Sequence, residues 1–214
     1  LSLDVPTKDF TEEEALSEVE LCAEMSTGAK AVNLDADILI LGEMGNGNST
    51  ISSALAASVF GGDVARWVGA GAGSDAAGIA HKQTVIQKGL AKNGVRPGLG
   101  ALLAFGGREQ AAICGAILAA RSVRMPVLLD GFICTAAAAP LFGLAPASLD
   151  HCLVGHMSAE PGHQHLLTAM GKSAILNLEM RLGEGSGAAL ALSILRGAVA
   201  CHNQMATFQS AGID

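Results

Sequence analysis

The chain has 214 residues, half of them apolar, with 15% charged, 3% aromatic and a formal net charge of −7. That balance excludes a disordered tail, which lacks the apolar surface to offset chain entropy. It also argues against a nucleic-acid partner, which calls for a basic stripe and usually aromatic stacking platforms.

The elements follow in chain order. Thr11-Glu12-Glu13-Glu14 reads as a capping box ahead of a helix with Ala15, Leu16, Val19, Cys22 and Ala23 at helical spacing and Gly28 as its stop. Residues 38–41 (ILIL), apolar on both faces, suit a central parallel strand. Residues 49–60 read as a helix ended by Gly61-Gly62. A second helix over 75–92 is begun by Ser74 and closed by Asn93-Gly94, and a third spans 108–121. Residues 126–129 form a second strand, ended by Asp130-Gly131. The uncharged stretch 131–149 nears membrane-spanning length, but its alanines and Pro140 and Pro146 favour a buried helix with loops around it. Residues 152–154 and 175–178 supply a third and a weaker fourth strand, and a last helix covers 186–205. Alternating strands and helices predict an α/β fold, a mostly parallel sheet with helices on both faces in a Rossmann-like three-layer arrangement, within one domain over 1–214.

The acidic opening carries no sustained apolar run, so no signal peptide is expected. The chain begins at Leu1 rather than Met, as a fragment would. Cys22, Cys114, Cys134, Cys152 and Cys201 show no CxxC spacing and fit a reducing, cytoplasmic setting. No membrane contact is expected.

In open parallel sheets, ligands bind beyond the carboxyl ends of the strands, and four loops there carry the informative residues. The first, Gly42-Glu43-Met44-Gly45-Asn46-Gly47-Asn48-Ser49-Thr50, is neither a P-loop nor a standard dinucleotide fingerprint. Its spacing suits a phosphate cradle and a plain tight turn equally, and Glu43 reads either as a solvated strand-end acid or as a group near a reacting centre. The second, 69–75, is glycine-rich and precedes a helix bearing Lys82, which by itself reads as an ordinary surface lysine. The third, 156–163, opens a helix at Pro161. Its histidines, with His151 and His165, match no zinc or HExxH spacing, so no metal is expected. The fourth places Glu184 between Gly183 and Gly185 at the mouth of an apolar helix. Either it is a turn acid, or the helix partly desolvates it into a better base.

The stretches GEMGNGNST, VGAGAGSDAAGIAHK, LLAFGGREQAAICGAILAA, PVLLDGFICTAAA, GHMSAEPGH and RLGEGSGAALAL resemble the nicotinate-nucleotide–dimethylbenzimidazole phosphoribosyltransferase family from about Phe10 onward. The resemblance implies transfer of 5-phosphoribose from nicotinate mononucleotide to 5,6-dimethylbenzimidazole, giving α-ribazole 5′-phosphate for the lower ligand of cobalamin. It implies Glu184 as the general base and Glu43 as a second active-site carboxylate. Gly45, Gly47, Asn48, Lys82, Ser158, Gly183 and Gly185 are implied as substrate-binding positions, which reverses the plain reading of Lys82. No cofactor is implied, and homodimers are. Family members are longer, so an N-terminal part is expected to be missing. Asn46 stands where the family often has an aliphatic residue, and Ser49 where it has Thr. The competing reading is a non-catalytic, nucleotide-binding fragment of such an enzyme.

Overall fold

Four short strands, β1 (Leu39–Leu41), β2 (Val127–Leu129), β3 (Cys152–His156) and β4 (Ala174–Leu176), run parallel and lie in the sheet in that same order. The computed structural model describes residues 1–2, 4–71 and 73–212. Around the sheet stand α1 (Glu18–Ala31), α2 (Asn48–Phe60), α3 (Ala76–Asn93), α4 (Leu99–Phe105), α5 (Arg108–Ser122), α6 (Phe132–Leu144), α7 (Pro161–Met170) and α8 (Ser186–Gln204).

The period-2 alternation of a strand divides the sheet into two faces. Leu39, Leu41, Val127 and Leu129 join the large core with residues from α1 to α7. Ile40 and Leu128 face the other way, against Ala188 and Ala191 of α8. The α/β arrangement with helices on both faces is thus present, and among the described residues α8 is the helix that packs on the second face. Its seat is close because Gly155 of β3 lies under Ala188, where a Cβ would come within 2.7 Å of the Ala188 backbone. The outer face of α8 leaves Leu190, Ile194 and Val199 exposed.

Several expectations need correction. β1 is an edge strand, not a central one. Its apolar residues still find cover on both faces, from the main core and from α8, so a two-sided apolar pattern did not require two neighbouring strands. Thr11–Glu14 is not a capping box. Asp9 takes the Thr11 amide, Glu12 pairs with Lys88 and Glu14 with Arg96, which docks this segment onto α3 and the turn after it. α1 begins later, at a true capping box formed by Ser17 and Glu20. Gly28 does not stop the helix, since α1 runs on to Ala31. The N-cap of α3 is Asp75 rather than Ser74, with its carboxylate on the Gly78 amide. The stretch 131–149 becomes buried α6 followed by a 3₁₀ turn at Pro146–Leu149. Among the described residues no helix is long and apolar enough to cross a membrane. α4 and the 3₁₀ turn Val64–Arg66 have no counterpart in the sequence-based assignment.

α1 and α5 pack backbone to backbone. A Cβ on Gly28 would sit 1.9 Å from the Ala112 carbonyl oxygen, and one on Gly115 would sit 1.8 Å from that of Met25. Beside this contact Arg108, nearly buried, pairs with Glu20 at 2.8 Å and Glu24 at 3.1 Å. Gly115→Ala should therefore destabilise the protein by roughly 1–3 kcal/mol, as overpacking against unyielding backbone does. Gly197→Ala, at a helical position with open space around it, should instead stabilise by up to about 1 kcal/mol. Urea unfolding midpoints of the two variants check the pair.

Candidate active site

The carboxyl ends of β1, β2 and β3 open onto a cleft of about 310 Å³. Four helices begin at its wall. Gly47 and Asn48 start α2, Gly131 and Phe132 start α6, Glu160 is the N-cap of α7, and Gly183 and Glu184 lead into α8. Helix N-termini present unpaired amides and positive dipole ends, and so favour negative charge. In this setting the chain places four carboxylates on the wall: Glu43, Asp130, Glu160 and Glu184.

Glu43, half-buried, follows β1. Burial pushes its carboxyl above the ordinary glutamate value against the opposing hydrogen bond from the Asn48 amide, and Glu109, Asp130 and Glu184 add like charge. Asn48 is buried and holds Glu43 in place. Gly45 leaves room for that contact, since a Cβ there would lie 2.5 Å from the Asn48 side-chain nitrogen. Gly47 caps α2 with φ +81, a left-handed conformation that glycine adopts without strain.

Glu184 itself has φ +59, uncommon for a residue with a side chain. Its side chain is exposed at the cleft. The expected desolvation of Glu184 by α8 does not occur, because the Gly183-Glu184-Gly185 turn faces the carboxylate outward ahead of the first helical turn. The desolvated carboxylate of the pair is Glu43. The two loops meet through glycines, as a Cβ on Gly42 would fall 2.3 Å from the Gly185 nitrogen.

Lys82 and Gly185 are not on the cleft wall. The Lys82 ammonium donates to Ser49 Oγ at 3.2 Å and to the carbonyls of Gly69 and Ala70 at 3.3 and 3.2 Å, behind Gly71. Glu160 accepts the Gly71 amide at 2.8 Å and lies 3.8 Å from Arg181, so one acid joins the second, third and fourth loops. Ser158 lines the cleft and donates its amide to His163 Nδ1 at 2.9 Å. That bond fixes the neutral tautomer of His163. Its Nε2–H then faces Thr135 Oγ1 at 3.2 Å, and the Thr135 hydroxyl donates to the Gly131 carbonyl at 2.8 Å.

The four histidines of 151–165 are used separately. His151 binds the Ile117 carbonyl, His156 lies beside Asp130, His163 supports Ser158, and His165 packs edge-on against Trp67. Among the described residues no group of three or more His, Cys, Asp or Glu is placed to hold a metal ion. Sequence reasoning missed Asp130, Glu160, Arg181 and His156 as members of the site. The available signal was Asp130 at the end of an apolar strand, where a carboxylate needs partners from elsewhere.

A family model described as phosphoribosyltransferase matches residues 2–213. The chain is 59% identical over 213 residues to a nicotinate-nucleotide–dimethylbenzimidazole phosphoribosyltransferase of Rhodobacter capsulatus, and 56% identical over 214 residues to one of Roseobacter denitrificans. Each match covers all of this chain and 64% of the relative, so the chain spans just under two thirds of their length. The crystal structure of CobT from Thermus thermophilus matches with a TM-score of 0.88 at 36% identity, over 97% of this chain and 64% of that one.

Burial, with a smaller contribution from nearby His156, holds the His163 imidazole down at about 3. The unfolded chain takes up a proton near its ordinary value of 6.5 while the folded chain does not, so stability should fall as pH drops below about 6.5, by roughly 1 kcal/mol per pH unit. Denaturant unfolding between pH 7 and about 4.5 should show that slope removed in His163→Gln.

Proposed function

Because the chain belongs to this phosphoribosyltransferase family, we propose that it moves 5-phosphoribose from nicotinate mononucleotide to 5,6-dimethylbenzimidazole, forming α-ribazole 5′-phosphate and nicotinate for cobalamin lower-ligand assembly. The observation that carries this reading is that Glu43 and Glu184, from loops far apart in the chain, line one cleft where four helices begin.

The benzimidazole nitrogen attacks the anomeric carbon from the face opposite nicotinate. The carbon–nitrogen bond to nicotinate breaks with its electron pair going to the departing ring, and the proton of the incoming nitrogen passes to Glu184. The nicotinyl nitrogen is cationic in the substrate and leaves without metal or cofactor assistance. The ribose acquires oxocarbenium character, which nearby carboxylates stabilise. Glu43, fixed by Asn48, serves that charge and orients the ring. Met44 and Leu182, 80% and 69% exposed on the cleft wall beside the two acids, suit a planar apolar ring. Such a ring, once bound, supplies the desolvation of Glu184 that α8 does not. The nucleotide phosphate is assigned to Gly45, Gly47, Asn48 and Ser158. Lys82 contributes charge through the Ser49 and Gly71 loops, and Gly183 and Gly185 let the ligand approach Glu184.

The partners proposed are these small molecules and a second copy of the chain, in the cytoplasm, in one α/β domain over 1–214. Nucleic acid is not among them, since a chain of net charge −7 with 3% aromatic residues offers neither a basic stripe nor stacking platforms.

Incubation with nicotinate mononucleotide and dimethylbenzimidazole should yield nicotinate and α-ribazole 5′-phosphate, resolved by liquid chromatography. Glu184→Gln should lower the rate by ~10²–10⁴-fold. Wild-type turnover in that variant would remove Glu184 as the base. Nucleotide binding by the unaltered chain with no product would favour the non-catalytic reading.

A further inference from the structure

Asp130 closes β2 and is 1% exposed, yet its two oxygens serve a different element. Oδ2 accepts the Gly185 amide at 3.1 Å and Oδ1 the Ala188 amide at 2.8 Å. α8 starts from Gly185, which has a left-handed backbone and no side chain to cap the helix. The N-cap function is supplied instead from 55 residues upstream, by a carboxylate on the positive end of the helix dipole. What this bond holds is the turn carrying Glu184. On its other side Gly185 rests against Gly42 with no space for a Cβ between them, so the turn is fixed between β1 and Asp130.

A buried histidine stands beside Asp130. His156 is 1% exposed, its Nε2 lies 3.6 Å from Asp130 Oδ1, and neither ring nitrogen has a hydrogen-bond partner. Unpaired buried polar groups are unfavourable. Two glycines nevertheless make room for this ring: a Cβ on Gly131 would come within 2.6 Å of it, and one on Gly187 within 1.9 Å. Both Asp130 and His156 line the cleft. A slight approach of the imidazole to Asp130 would bring its Nε2 within hydrogen-bond distance and give one of the two unpaired ring nitrogens a partner.

We propose that Asp130, backed by His156, is a positioning residue for the transfer reaction: it clamps the Gly183-Glu184-Gly185 turn so that the Glu184 carboxylate meets the proton of the incoming base. The inference rests on the proposed role of Glu184 and adds the group that aims it. Both Asp130 oxygens are engaged with α8 amides, so its influence passes through the turn.

Asp130→Asn keeps the shape and one acceptor but turns an amino group toward a backbone donor. In the full chain it should lower kcat by ~10²-fold while KM for nicotinate mononucleotide stays within about threefold. Amide hydrogen exchange at Gly185 and Ala188 should accelerate. His156→Gln should give the same pattern, smaller in size. A cap with only a structural role would lower the melting temperature and leave kcat unchanged well below melting, and that result overturns the proposal. If Asp130→Asn does not fold, Asp130→Ser, with one short acceptor, takes its place in the same assays. Absence of turnover in the unaltered chain would defeat the proposed function instead, and the exchange measurement then decides alone: unchanged protection of Gly185 in the variant overturns the clamp.

Discussion

Four parallel strands end on the same side of the sheet, and the chain leaves β1, β2, β3 and β4 there through loops that start α2, α6, α7 and α8. This one constraint gathers four positive helix ends around a small volume. It also explains why four carboxylates are tolerated there. Each faces amides or a cation: Asp130 the N-terminus of α8, Glu160 the Gly71 amide and Arg181, and Glu43 the Asn48 side chain, while Glu184 keeps access to water. Their mutual repulsion remains visible in Glu43, whose carboxyl is raised by burial and by its acidic neighbours.

The second organising feature is close backbone approach. Gly155 seats α8 on the sheet, Gly42 touches the turn before it, and Gly28 and Gly115 let α1 and α5 meet at their main chains. A chain with no Tyr and few other aromatic residues achieves its packing this way, through short distances rather than large side chains. The same device admits His156 to the cleft floor, so the glycines that shape the core also decide which polar groups reach the site.

Much of the architecture was legible from local pattern. The apolar runs located all four strands, and the helices α2, α3, α5 and α8 begin and end within a residue or two of the spans read from the sequence. The errors came where two local signals competed. Thr11-Glu14 and Ser17-Glu20 both have capping-box spacing, and the first lost because Lys88 and Arg96 bind its acids from α3 and the segment beyond it. Gly28 has the look of a helix stop, but its role is set by Ala112, a residue far away in sequence.

For the site, the sequence alone determined which glycine- and acid-bearing loops stand beyond the strand ends, because the order of strands and helices in a parallel sheet puts them there. Glu43, Gly45, Gly47, Asn48, Ser158, Gly183 and Glu184 do meet in one cleft. Only the tertiary structure decided how each is held: that Glu43 rather than Glu184 is the desolvated acid, that Lys82 stands behind the wall, and that Asp130 caps a helix 55 residues away. Burial and hydrogen-bond partnership are properties of the surrounding atoms, and for these residues most of those atoms come from other strands and helices.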